Sequence, residues 1–284
     1  MIRWFLKKAP PLLGMSPGEG PRRLRYLGTA GFLLEGPDQT LVLDPYLSRP
    51  GLWTSLFGRL VPDEALLQRE LPKADAVLVG HSHHDHALDA PALCRLTGAT
   101  LLGSASTLNL GRAYGLPESQ MREVVPHQPE TCGPWKSTAI PSRHGKAVLG
   151  RIPLPGTIDT PPSWPPRLTE LRHGPVYLWH LDLGDTRILH VDSADFRPEE
   201  LKNYRADILC LCAIGRHYRA DYTREILALT GAKVVVPCHW DDFSLPWGAP
   251  VRQLPGVDLE GFAREIRSAG ADVRMMGLGE HWRF

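Results

Sequence analysis

Four histidines and an aspartate fall within six residues, His81-Ser82-His83-His84-Asp85-His86. Imidazole and carboxylate are ligands that divalent zinc takes readily. In extended backbone or a tight turn, residues two apart point to the same side, so His81 and His83 can share one ion. Asp85 and His86 come after a turn and can face a second ion, while His84 points away if His83 points in. The bland alternative is a histidine-rich surface turn. Such a cluster, placed directly after a buried strand, would be costly to keep without a ligand.

Two more histidines occur in similar contexts: His144 in Pro141-Ser142-Arg143-His144-Gly145, and His239 in Pro237-Cys238-His239-Trp240-Asp241-Asp242-Phe243. Either alone would more often be a structural histidine; their shared position after apolar, strand-like runs makes both candidate ligands. Arg216, His217 and Tyr218 also follow such a run and are candidate substrate contacts. His127, His173, His180 and His281 have no ligand-like context.

The elements that must position these groups follow from apolar period and turn residues. Residues 24–27, 32–35 and 40–43 read as strands of a meander, ending at Asp44-Pro45. Residues 47–60 read as an ordered loop and 62–71 as a helix. The apolar run 74–79 reads as a strand buried on both faces, delivering the histidine cluster. Helix 89–96, strand 100–103 and helix 104–114 come next, then strands near 123–125, 137–140 and 177–183. The proline-rich stretch 152–166 reads as a long loop; with Trp164 it could cover the mouth of a pocket. The last third alternates strands 187–191, 208–212 and 233–237 with helices 198–204, 223–230 and 259–268, and the tail 273–284 could add an edge strand. This pattern predicts an α/β fold of two mixed sheets packed face to face with helices outside. Residues 1–20 read as an N-terminal extension and 21–284 as one domain.

Composition bounds the function classes. The chain has 284 residues, 43% hydrophobic and 22% charged, with formal net charge +1. A near-neutral chain argues against a nucleic-acid partner. Five cysteines, an odd number without Cys-x-x-Cys spacing, argue against a disulfide framework and for a reducing, cytoplasmic setting. No stretch reaches the ~18 apolar residues of a membrane span. The basic, aromatic start Met1-Ile2-Arg3-Trp4-Phe5-Leu6-Lys7-Lys8 leaves peripheral membrane contact open. Oligomeric state is not legible.

The segment His81-x-His83-x-Asp85-His86, with Asp44, His144, Asp192 and His239 following in order, resembles the metallo-β-lactamase superfamily. The ending Pro237 to Phe243 is similar to the branch containing ascorbate-6-phosphate lactonase and N-acyl-phosphatidylethanolamine phospholipase D. The resemblance implies an αββα four-layer sandwich. It also implies two divalent ions, zinc first with Mn2+ or Fe2+ as alternatives, that activate a bridging hydroxide against an ester-type bond. The targets it implies are phosphodiesters, lactones and related small or lipid-like substrates.

By the same resemblance His81, His83 and His144 would hold one ion and Asp85, His86 and His239 the other. Asp192 would bridge them, Asp44 would orient a ligand histidine, and Asp85 or Asp192 would pass a proton. One departure is that Val191 stands where the family has glycine before the bridging aspartate. A one-residue shift would put Ser193 at the bridge, favouring a single iron and an oxidoreductase similar to the persulfide dioxygenases. A non-catalytic relative is the third reading, disfavoured by the intact ligand set.

Overall fold

Alternation of burial along the first strands shows why two sheets form. In the computed structural model, which describes residues 17–147 and 149–284, β1 (Arg23–Gly28), β2 (Gly31–Glu35) and β3 (Thr40–Leu43) form an antiparallel meander. Leu24, Tyr26, Phe32, Leu34, Leu41 and Leu43 point into one apolar core, whereas Leu33 and Val42 point into a second. A strand places successive side chains on opposite faces, so both faces of this sheet are covered.

The sheet continues in parallel through β4 (Ala76–Leu78), β5 (Thr100–Gly103) and β6 (Met121–Glu123). Its outer face is covered by α2 (Glu64–Glu70), α4 (Ala90–Thr97) and α5 (Ala105–Tyr114). Asp63 and Ser104 cap α2 and α5 by accepting from Leu66 N and Thr107 N, the backbone donors that a helix start leaves free.

A second seven-stranded sheet faces the first. β7 (Pro129–Cys132), β8 (Trp135–Pro141), β9 (Tyr177–Asp182) and β10 (Arg187–Val191) are antiparallel. β11 (Ile208–Cys212), β12 (Val234–Cys238) and β13 (Asp272–Val273) extend it in parallel from β10. The core between the sheets joins the inner faces of both and runs on to α7 (Tyr222–Thr230) and α8 (Leu259–Ser268) through Ile226, Phe262 and Ile266. The result is the four-layer αββα sandwich.

Several boundaries differ from expectation. The stretch 47–60 contains α1 (Leu52–Phe57), which buries none of its residues and so shows no amphipathic period. β7 was not foreseen, because its side chains are mostly polar and exposed at a sheet edge. α6 (Pro198–Leu201) ends three residues early, before the weak helix former Asn203. The tail adds the expected edge strand, β14 (His281–Arg283), which pairs with β1 at the edge of the first sheet, and β13 at its start closes the second. Of the expected N-terminal extension, residues 17–20 lie beside the C-terminus, with Arg283 N donating to Pro17 O at 2.6 Å. The basic, aromatic segment 1–8 lies outside the described residues. No helix of the described residues is long and apolar enough to cross a membrane.

A buried ion pair ties the two halves together. Arg49, after β3, meets Asp241, after β12, at 2.7 Å. The other Asp241 oxygen accepts from the Tyr26 hydroxyl and Thr29 N, both at 2.7 Å. Burial opposes ionisation of Asp241, but the Arg49 guanidinium and these hydrogen bonds outweigh it and hold the carboxyl below its usual range. Removing one partner of such a pair leaves a buried charge, so Arg49→Ala should cost about 3–5 kcal/mol in chemical denaturation at neutral pH. Stability that depends on ionised Asp241 is present above the unfolded carboxylate range near ~4 and fades below it, so the gap to the variant should narrow on acidification. A cost under ~1 kcal/mol would show that the pair is not a stabilising tie.

Candidate metal centre

Four of the candidate groups follow parallel strands at their C-terminal ends: Asp44 after β3, His81 after β4, Asp192 after β10 and His239 after β12. His144 follows β8. Open α/β sheets build sites at such ends, where strands stop and loops diverge. After β4, α3 (His84–Ala87) is a single helical turn whose N-cap is His83. This turn swings Asp85 and His86 back toward His81. Asp89, just beyond it, accepts from Leu47 N at 2.6 Å and Ser48 N at 2.9 Å, pinning the chain that leaves Asp44.

Two donor sets converge. His81, His83 and His144 form one, and Asp85, His86 and His239 the other, with each set's donor atoms within 4.8 Å of one another. Asp192 joins His81 and His86 in a third such group. For His81, His83, His86 and His144, hydrogen-bond partners then assign which ring nitrogen is free. His81 Nδ1 meets Asp192 Oδ2 at 2.5 Å, leaving Nε2, which lies 3.0 Å from His83 Nδ1. His83 donates its other nitrogen to Pro153 O at 3.1 Å, and His144 Nδ1 donates to Gly145 O at 2.7 Å. His86 Nδ1 meets Asp44 Oδ2 at 2.9 Å, leaving Nε2 facing Asp85 Oδ2 at 3.7 Å. His239 Nε2 lies 3.4 Å from the same Asp85 oxygen. A proton fixed on one nitrogen by an outer partner is how proteins present the other to a metal.

The residues present fit divalent ions. Burial holds His81 and His86 well below the usual histidine range, places His83 at about 3 and lowers His144, so these rings are neutral at pH 7. Asp44, Asp85 and Asp192 are buried with them, and among the described residues no lysine or arginine lines the cleft. Burial and the adjoining Asp192 push Asp44 well above its usual range. Asp192 Oδ1 is buried without a hydrogen-bond partner. Cations at the convergence point would satisfy both the crowded carboxylates and this orphaned oxygen.

Backbone strain concentrates here. Asp44 and His239 have φ of 41° and 54°, left-handed values that Asp and His tolerate better than most residues. Gly80 sits where a Cβ would come 2.2 Å from Asp192 Oδ2. The segment after β12 has a division of labour: Trp240 is buried against Tyr26, Asp241 joins the Arg49 pair, and Phe243 packs on the His239 ring at 5.4 Å.

The structure brings His81, His83, Asp85, His86, His144, Asp192 and His239 together, with Asp44 behind His86. Ser193 is occupied otherwise, its hydroxyl accepting from Gly145 N at 2.9 Å, which steadies the His144 loop. His84 belongs to no donor set; it lies edge-on to Tyr46 and lines the cleft, its Nδ1 3.5 Å from Asp85 Oδ1. Arg216, His217 and Tyr218 are not among the cleft's lining residues. Arg216 is buried, paired with Glu265 and laid over Phe262, a structural use of its charge; His217 lines a separate depression, and the Tyr218 ring lies against His217. Trp164 packs on Tyr114 of α5 rather than over the cleft; Pro153 and Leu154 of the same loop form the wall. Sequence reasoning missed His173, which stacks on His144 at 5.6 Å and holds Ser82 N through its carbonyl. It follows irregular chain, so neither period nor motif marks it.

Because Asp44 accepts from Gly80 N at 2.7 Å as well as holding His86, Asp44→Ala should free the ring and weaken metal binding about 10–100-fold in a chelator-competition titration. An unchanged affinity would remove Asp44 from this role.

Comparison with known proteins agrees with this geometry. A model of the beta-lactamase superfamily domain matches residues 23–239. The chain is 28% identical to a UPF0173 metal-dependent hydrolase of Anaeromyxobacter sp. (strain K), covering 81% of this chain and 79% of that one. It is 27% identical to another of Polaromonas sp., covering 97% and 96%. Igni18, a metallo hydrolase of Ignicoccus hospitalis, has a similar fold at TM-score 0.58 and 22% identity, covering 93% of this chain and 99% of that one. So does CmlA, a diiron beta-hydroxylase of Streptomyces venezuelae, at TM-score 0.60 and 17% identity, covering 94% and 55%. Matched over residues 23–239 and folded as this αββα sandwich, the chain belongs to the metallo-β-lactamase superfamily.

Proposed function

We propose that the protein is a metal-dependent hydrolase of an acyl ester or lactone, using two divalent ions, zinc first. The observation that carries this reading is the convergence of five imidazoles and two carboxylates in three overlapping donor groups. The names of the UPF0173 relatives, metal-dependent hydrolases, support it. When bound, such ions lower the pKa of water and polarise a carbonyl.

The chain's own residues do the rest. Asp192 and Asp85 are the carboxylates placed to take a proton from the attacking water and pass it to the leaving oxygen. Asp44 keeps His86 in one tautomer. Ala147, Pro153, Leu154, Ile214 and Phe243 wall a cleft of about 160 Å³ and limit water around the reacting bond. With no cationic side chain in this wall, a neutral carbonyl group suits the cleft better than a phosphodiester, which separates this reading from the phospholipase side of the branch suggested by residues 237–243. The five cysteines are free and buried, in keeping with a reducing, cytoplasmic setting.

Elemental analysis of protein purified without chelator should find about two zinc, manganese or iron ions per chain. Chelation should abolish hydrolysis of 4-nitrophenyl valerate or a δ-lactone, and His81→Ala should lower it about 100-fold or more. Turnover that survives complete metal removal would sink the reading, and one iron per chain without esterase activity would move it to oxidation.

A further inference from the structure

An open groove of about 510 Å³ adjoins the cleft and shares His144 with it. Pro126, Pro141 and Pro175 stiffen its walls. Two cationic residues line it, Arg143 from the His144 loop and Arg197 from the turn before α6. Neither forms an ion pair or a side-chain hydrogen bond among the described residues, and Arg197 Nε is buried without a partner. The acidic residue of the groove, Asp195, is already paired with Arg219. The groove therefore holds two uncompensated guanidinium groups beside a cleft that holds none. A planar guanidinium matches carboxylate and phosphate oxygens through paired, charge-assisted hydrogen bonds.

We propose that the Arg143–Arg197 groove binds an oxyanion, a carboxylate or phosphate, carried by the substrate at a distance from the bond that is cut. The substrates would then be esters or lactones with an apolar segment in the cleft and an anionic end in the groove. The assignment of bond type rests on the hydrolase reading; the assignment of the groove to an anion rests on the arginines alone.

The test uses the full-length, metal-loaded protein and two readouts. In the first, glutarate and propyl phosphate are titrated separately by calorimetry, which also separates the two kinds of oxyanion. At least one should bind, and Arg143→Ala/Arg197→Ala should weaken that binding about tenfold or more with metal content unchanged. Should the double variant fold poorly, Arg143→Ala alone, at an exposed position, serves in its place. In the second, mono(4-nitrophenyl) glutarate is compared with the neutral 4-nitrophenyl valerate. The variant should raise KM for the anionic ester about tenfold and leave the neutral ester unchanged. Hydrolysis of neither ester would fail the hydrolase reading while the titration still reports on the groove. Binding of neither anion, or binding undiminished in the variant, would overturn the proposal.

Discussion

The centre turns on Gly80, which bonds both sheets and leaves room for the Asp192 carboxylate. Its N–H donates to Asp44 and its carbonyl accepts from Tyr177 N of the second sheet at 2.8 Å. The Asp192 carboxylate fills the space where a side chain would stand. One residue thus sets the separation of β4 from β9 and the depth at which Asp192 meets His81. Only glycine permits that approach, since any Cβ would displace the carboxylate or part the sheets. The centre is therefore a property of the sandwich and not of one loop.

The same logic extends outward. Each imidazole is useful to an ion only if its other nitrogen is held, and the holders come from different parts of the chain. They are Asp44 after β3, Asp192 after β10, Pro153 from the long loop and the Gly145 carbonyl. His239 depends on the chain around Asp241, fixed by Arg49, Tyr26 and Thr29. Outer partners that share rigid strands hold the donor sets in position, while three carboxylates crowd one buried space.

Legibility in the sequence followed the strength of local signals. His81 to His86 could be read directly, because the cluster is contiguous and an apolar strand precedes it. His144 and His239 were legible more weakly, as lone histidines after apolar runs, and Asp192 was reached only through motif order, since the neighbours of each are set by sheet pairing. Alternating core strands such as residues 32–35 were legible for a physical reason: each side chain has a face to fill. α1, without a buried face, and β7, a polar edge, carry no such imprint. Arg216 was read as a substrate contact because a charged residue after a strand looks functional; its pairing with Glu265, 49 residues away, was not legible. Tertiary pairing of that kind leaves no period to detect.

The segregation of charge around the cleft has a physical rationale. At roughly 5 Å and an effective dielectric of about 20, two unit charges interact by about 3 kcal/mol. A lysine or arginine inside the cleft would thus compete with divalent ions for Asp85 and Asp192, and would itself be repelled once they were bound. Cations that recognise substrate must stand back from the donor sets, beyond the histidines. Arg143 and Arg197 do so, lining the groove that meets the cleft at His144, whose ring borders both spaces and stacks on His173 of the groove. The neutral His144 imidazole serves twice there, offering a nitrogen to the interior and an uncharged wall to the groove.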